Sequence, residues 1–200
     1  MPDQSVSYGG GMSSASDLRT IALTEFAAAG YAGTSIARIA ELAGLSKSSV
    51  LYHYASKEAL LEAALAPAIE RLGAILTPLA PHPLQPTLLP SFIEEFVDFL
   101  LDHRLEVHTF INQGASLAEV PVIARAAAQI VTLGEYFSAT LADTEQKMRF
   151  GIALGGAAYT LCTEGMLGEA VAPRDETRAA LITIMTELLT PVTGTLTLSE

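Results

Sequence analysis

Apolar residues begin to recur at three- and four-residue spacing at Leu18, Ile21, Ala22 and Phe26. This spacing sets one apolar face on a helix, with Ser16 as its N-cap and Gly30 supplying the left-handed backbone that closes it. A second helix is expected from Thr34 and Ser35, burying Ile36, Ile39 and Ala40 and stopping at Gly44. Ser46 caps a third, from Lys47 to about Tyr54. Ser56 caps a fourth through Leu60, Leu61 and Leu65, which Pro67 should interrupt or kink. Five prolines (Pro78, Pro81, Pro83, Pro86 and Pro90) mark a linker or long inter-helix loop. Beyond it lie helical stretches over 91–104, 106–117, 120–143 and 145–167, with Pro121 at a first-turn position. A last helix over 174–190 is expected to end at Pro191. Strand-type alternation is nearly absent, so the pattern predicts an all-α chain. Its expected domains are a three-helix N-terminal helix-turn-helix over 16–60 and a larger helical domain over 61–200. Residues 1–15 carry Gly9-Gly10-Gly11 and no hydrophobic period, which predicts disorder there, with Met12 as a second candidate start.

Composition narrows this picture. Half of the 200 residues are hydrophobic, enough for a sizeable core. The longest uncharged apolar stretch, Phe150 to Cys162, is shorter than the roughly 20 residues a membrane helix needs. No N-terminal segment has the basic-then-apolar order of a signal peptide, so a soluble cytoplasmic protein is expected. The single cysteine, Cys162, allows no internal disulfide and no metal cluster. Net charge is −11, which opposes contact with a phosphate backbone. The charge is uneven, however. Residues 16–60 are neutral, with Arg19, Arg38, Lys47 and Lys57 balancing Asp17, Glu25, Glu41 and Glu58. Residues 61–200 set seven bases against seventeen acids, a balance of −10. Any DNA contact therefore belongs to the N-terminal quarter.

That quarter holds the chemistry that can read DNA. In a helix-turn-helix the first helix braces the second, which lies in the major groove and presents side chains to base edges. Ala43-Gly44-Leu45-Ser46 supplies the reversing glycine, the apolar corner and the cap of the reading helix, in that order. At about 100° per residue, Val50 and Tyr54 fall on one side of the reading helix, towards Ile36, Ile39 and Phe26. Ser48 and Tyr52 fall opposite, facing outward. Taken singly, such helices also suit an ordinary bundle that never meets DNA.

From about Ile21 to Leu61 the residues resemble the TetR family of bacterial regulators. Phe26, Gly30, Thr34, Ile39-Ala40, Ala43-Gly44-Leu45-Ser46, Tyr52-His53-Tyr54, Ser56-Lys57 and Leu60 keep that family's spacing. The resemblance implies that Thr34 and Ser35 meet phosphate and that Lys47, Ser48 and Tyr52 approach bases or sugars. It further implies phosphate contacts from His53 and Lys57; Arg38 and Ser49 complete the expected DNA-binding set. Helix N-termini attract phosphate, and hydroxyl, imidazole and ammonium groups donate to it. Leu51 stands where the family most often has a phosphate-bonding tyrosine, and Ser48 replaces a frequent glycine. Leu51 cannot donate, but it sits about 60° from Ser48 and suits a thymine methyl.

The resemblance also implies a homodimer on a near-palindromic operator, because a two-fold pair of modules reads two half-sites. Gly151, Gly155 and Ala158 form one stripe of small residues. Leu181, Ile184, Met185, Leu188 and Leu189 form an apolar stripe in the last helix. The two stripes are the candidate dimer surface, with intramolecular core as the alternative. Candidate ligand contacts are Phe99, His103, His108, Phe110, Asn112, Gln113, Tyr136, Tyr159, Cys162 and Met166, with Phe137 among the same mixed aromatic and polar groups. The expected function is a ligand-released repressor with an unknown small-molecule effector and no metal, cofactor or catalytic residue. An activator or corepressor-dependent regulator is the alternative; a small-molecule carrier or enzyme on the same scaffold is a further one. No nucleophile–base spacing, metal cluster or phosphate-binding glycine loop favours the enzyme.

Overall fold

A computed structural model of the chain describes residues 15–79, 87–141, 143–163 and 172–194. The described residues form helices joined by short turns: α1 (Ala15–Gly33), α2 (Ile36–Leu42), α3 (Lys47–His53), α4 (Lys57–Leu76), α5 (Leu89–Asp102), α6 (Arg104–Gln113), α7 (Pro121–Thr140), α8 (Thr144–Thr163) and α9 (Arg174–Gly194). No strand occurs among them, so the all-α expectation holds. Two units divide the chain, one ending at Ala64 and the other beginning at Leu65. The expected disorder of residues 1–15 lies, from Met1 to residue 14, outside the described residues, as do Pro81, Pro83 and Pro86.

The first unit is built on a few large side chains at helical spacing. Leu18, Ala22 and Phe26 of α1, Ile39 and Ala40 of α2, Val50 of α3, and Leu60 and Leu61 of α4 are all buried. Burying one such side chain contributes roughly 1.5–3 kcal/mol. Gly30 has φ 78°, ψ 155°, a backbone open only to glycine, and it breaks the helical path within α1. The chain turns there, and Tyr31 comes back against Phe26 with ring centroids 5.3 Å apart.

In the second unit α5 presents Phe92, Ile93, Phe96, Val97 and Leu100 to a core shared with α7, α8 and α9. Phe137 of α7 stacks on Phe150 of α8 at 3.4 Å between centroids. Arg178 of α9 grips Asp98 of α5 through two hydrogen bonds, at 2.6 and 2.9 Å, and Arg174 reaches Asp102 at 2.7 Å. The Asp98 carboxyl is held below its ordinary range by the Arg178 hydrogen bonds.

Three boundaries differ from the pattern. Pro67 does not interrupt α4, which runs from Lys57 to Leu76. It forfeits the hydrogen bond to the Ala63 carbonyl, a loss that water can offset because Pro67 is exposed. Pro191 likewise does not end α9, which continues to Gly194. A proline removes one donor and restricts the residue before it, but it does not forbid helix after it. The stretch over 106–117 is helical only to Gln113; Gly114–Leu117 tighten into a 3-10 turn. Pro121 does open α7 as its first residue.

Candidate functional site

The corner between α2 and α3 is closed by backbone geometry that its sequence dictates. Leu45 N–H donates to the Ala40 carbonyl at 2.8 Å and Gly44 N–H to that of Glu41 at 3.1 Å. This paired reversal needs a left-handed residue between helix and turn, and Gly44 supplies it at φ 66°. Ser46 then caps α3, its Oγ accepting from Ser49 N–H at 3.0 Å. The Ser46 hydroxyl also meets the hydroxyls of Ser48 (2.9 Å) and Ser49 (2.7 Å). Ser35 does the same for α2, accepting from Arg38 N–H at 3.1 Å.

On this frame the two sides of α3 separate. Val50 is 0% exposed, and Tyr54 is half-buried, its hydroxyl donating to the Ala15 carbonyl at 2.9 Å. Opposite, Tyr52 is 87% exposed, with Lys47, Ser48 and His53 also at the surface. Tyr52 and His53 meet edge to face at 5.6 Å, and Leu51 is 38% exposed. The outer face of α3 thus carries an aromatic hydroxyl, a serine, a lysine, an imidazole and one leucine, a set able to donate to phosphate and to touch base edges.

Three of the expected DNA-binding residues have partners within the protein. Thr34 is only 2% exposed, and its hydroxyl donates inward to the Gly30 carbonyl at 2.8 Å. It ties the Gly30 break shut, with the hydroxyl turned inward. Lys57 also turns inward. Its Nζ donates to the carbonyls of Tyr31 (2.8 Å) and Thr34 (3.0 Å) and lies 4.1 Å from the Tyr31 ring centroid. Arg38 is exposed but held by Glu41 at 2.9 Å and Glu25 at 3.4 Å, so a phosphate would have to displace two carboxylates. Near this clasp the Tyr31 hydroxyl is pushed up to about 12, first by burial and then by the neighbouring Glu58.

The second unit encloses a cavity of about 680 Å³ between α4, α5, α6, α7 and α8. Its wall is almost wholly apolar, and its volume lies within the range of small-molecule sites. Of the expected ligand residues, Phe99, Phe110 and Tyr159 line it. His103 stands behind the wall, its Nδ1 3.3 Å from Glu106, which does line it. His108, Asn112, Gln113, Tyr136 and Cys162 are not on the wall. Tyr136 packs edge-on against Phe137 at 5.0 Å, Asn112 donates to the His108 carbonyl at 3.0 Å, and burial pushes the Cys162 thiol up. Met166 lies outside the described residues. Sequence reasoning missed Glu106, Lys147 and the α4 side chains Leu65, Ile69 and Leu72. The signal for Lys147 was its place four residues before Gly151 on one helical face.

The two stripes considered for dimerisation divide. Gly151, Gly155 and Ala158 line the cavity. Leu181 and Met185 are buried in the unit's own core, with Leu188 packed against it. Ile184 points out, 52% exposed. Periodicity assigned these residues to one face, but the helix turns about 60° between Leu181 and Ile184.

Residues 19–64 match the family model for bacterial regulatory proteins of the tetR family. The HTH-type transcriptional regulator RutR of Escherichia coli K12 is 52% identical over 44 residues, 22% of this chain and 21% of RutR. The match therefore spans about a fifth of that relative's length. Solved structures extend the likeness along the chain. A TetR transcriptional regulator family member from Streptomyces coelicolor A3 has a TM-score of 0.67 at 20% identity, covering 86% of this chain and 89% of its own. The ketosteroid transcriptional regulator KstR2 of Mycobacterium tuberculosis gives 0.64 at 16% identity, over 90% and 94%. A TetR-family transcriptional regulator from Bordetella parapertussis 12822 gives 0.65 at 20%, over 88% and 93%. At these identities the structures speak for the fold, while the match over 19–64 covers the helix-turn-helix itself. Taken with the capped corner and the two-sided reading helix, they identify residues 19–64 as a helix-turn-helix module similar to that of bacterial regulatory proteins of the tetR family, on a chain with the fold of those solved regulators.

Proposed function

We propose that the chain is a DNA-binding transcription regulator that acts as a homodimeric repressor and leaves its operator when a small molecule occupies the second unit. The observation that carries the reading is α3: a capped helix with Val50 sealed beneath it and Ser48 and Tyr52 exposed above it. Such a helix is built to enter a major groove. One neutral module binds weakly, so two must act together, and a second copy provides them at a spacing of about 34–36 Å. Met148 and Ile152 of α8 and Ile184 of α9 are large apolar side chains left exposed, a surface that suits a second copy. The cavity supports the ligand half of the reading. A ligand releases DNA only by favouring a dimer state whose reading helices are wrongly spaced. Work of this kind takes place on the chromosome, in the cytoplasm.

Mobility-shift titration of the dimeric protein against the intergenic DNA flanking its own gene tests the proposal. Site-specific retardation at moderate salt is expected. Its absence, with non-specific DNA binding equally well, overturns the reading.

A further inference from the structure

The cavity of the second unit is chemically lopsided. Its deep wall is made by buried side chains, among them Phe96, Phe99, Leu133, Phe137, Phe150 and Leu154. Its open side is bordered by two helical rows. Ile130, Gly134 and Ser138 follow one another at four-residue steps on α7, and Lys147, Gly151, Gly155 and Tyr159 do so on α8. All seven are exposed. A Cβ placed on Gly134, Gly151 or Gly155 would meet nothing within 4 Å. These small residues therefore border an open slit, and a larger side chain there would project into it. Lys147 and Tyr159 stand twelve residue steps apart on α8, about 18 Å at the helical rise. The space is long and apolar.

Two charged residues among those described lie on this wall, Glu106 and Lys147. Their circumstances differ. The Glu106 carboxylate is mostly buried and already faces His103 Nδ1 at 3.3 Å. The Lys147 ammonium makes no ion pair or hydrogen bond among the described residues. Among the described residues, Glu145 holds Arg149 at 2.9 Å, and the Asp143 carboxylate accepts from Gln146 N–H at 2.8 Å. Residues 61–200 carry ten more acids than bases, so an ammonium with no acidic partner among the described residues is conspicuous beside an apolar cavity. A bound molecule can bring it an oxygen anion, and the resulting charge-assisted hydrogen bond is stronger than a neutral one.

We propose, resting on the reading that this cavity holds the effector, that the effector is an amphipathic organic monoanion. Its apolar chain or ring system lies along α8 in the deep wall, and its single carboxylate is held by Lys147 at the slit. An ammonium-bearing amphiphile is disfavoured, because Lys147 repels it at the rim and Glu106 is already partnered inside.

Calorimetric titration of the full-length protein with decanoate, decyltrimethylammonium and neutral 1-octanol, each below its aggregation threshold, tests this. Decanoate is expected to bind best. Lys147→Met should weaken decanoate by about tenfold, the size of one charged hydrogen bond, and leave 1-octanol unchanged. Lys147→Glu should reverse the preference towards decyltrimethylammonium. Gly155→Phe, which fills open space at the slit, should abolish all three. Lys147 is exposed, so neither substitution at that position threatens the fold. Equal or tighter binding of the cation by the unaltered protein, or decanoate binding indifferent to Lys147, overturns the inference while leaving a cavity that Gly155→Phe still closes. Absence of binding by all three probes, or binding that Gly155→Phe does not touch, overturns the cavity reading as well.

Discussion

Replacing Lys57 with methionine separates two accounts of the same side chain. Methionine keeps most of the unbranched stem and removes the ammonium. With it go hydrogen bonds to the Tyr31 and Thr34 carbonyls, at 2.8 and 3.0 Å, and the cation lying 4.1 Å from the Tyr31 ring centroid. A hydrogen bond from a charged group is worth about 1.5–3 kcal/mol and an exposed cation–π contact about 0.5–1. The site is only part-buried, water can replace some of what is lost, and the contributions overlap. A net loss of about 2 kcal/mol follows. For a chain of this size that lowers the melting midpoint by about 4–8 °C. The assay pairs thermal denaturation, followed by far-ultraviolet circular dichroism, with DNA affinity measured over a salt series. If Lys57 braces the Gly30 break, the midpoint falls and the slope of log affinity against log salt keeps its value. An unchanged midpoint with a slope smaller by about one unit would show a phosphate contact and refute the inward role.

Three further outcomes follow from the same geometry. Gly44→Ala meets no steric neighbour, since a Cβ there has nothing within 4 Å, so its cost is backbone strain alone at φ 66°. A loss of about 1–2 kcal/mol in denaturant unfolding is expected, with Gly44→Asn milder. Tyr52→Ala removes a side chain that is 87% exposed, so the melting midpoint should stay put while operator affinity falls. Asp98→Asn tests the α5–α9 clasp through pH. The Asp98 pKa is lowered in the folded protein by Arg178, so the pair stabilises above the ordinary carboxylate pKa of about 4 and that stability drains as pH falls through the lowered value. The substituted protein should melt below the parent near neutral pH. The gap should close on acidification past the ordinary carboxylate range; a gap independent of pH would contradict this.

The parts of the molecule that were legible in the sequence are those fixed by local chemistry. Ser46 caps α3, Gly44 takes the left-handed backbone and Pro121 opens α7, because each acts on neighbours within a turn of itself. Helix faces were legible for the same reason: Val50 and Ile39 are sealed and Tyr52 is not. What the sequence did not show depended on partners distant in sequence. Nothing near Thr34 reveals that its hydroxyl bends back to Gly30, and nothing near Lys57 reveals that carbonyls 26 and 23 residues away claim its ammonium. Similarly, Gly151 and Gly155 share a face, but whether that face meets another helix or an open slit depends on how α7 stands beside α8. The cavity's charged residues were missed because Glu106 of α6 and Lys147 of α8 come to line one wall only in the fold.

In vitro selection by the full-length protein from a pool of random DNA duplexes tests the central claim most directly. The account predicts enrichment of an inverted repeat whose half-sites lie about one helical turn apart, 34–36 Å centre to centre, and its loss when Ser48 and Tyr52 are both replaced by alanine. Failure to enrich any sequence at moderate salt, or enrichment untouched by those two substitutions, would contradict it.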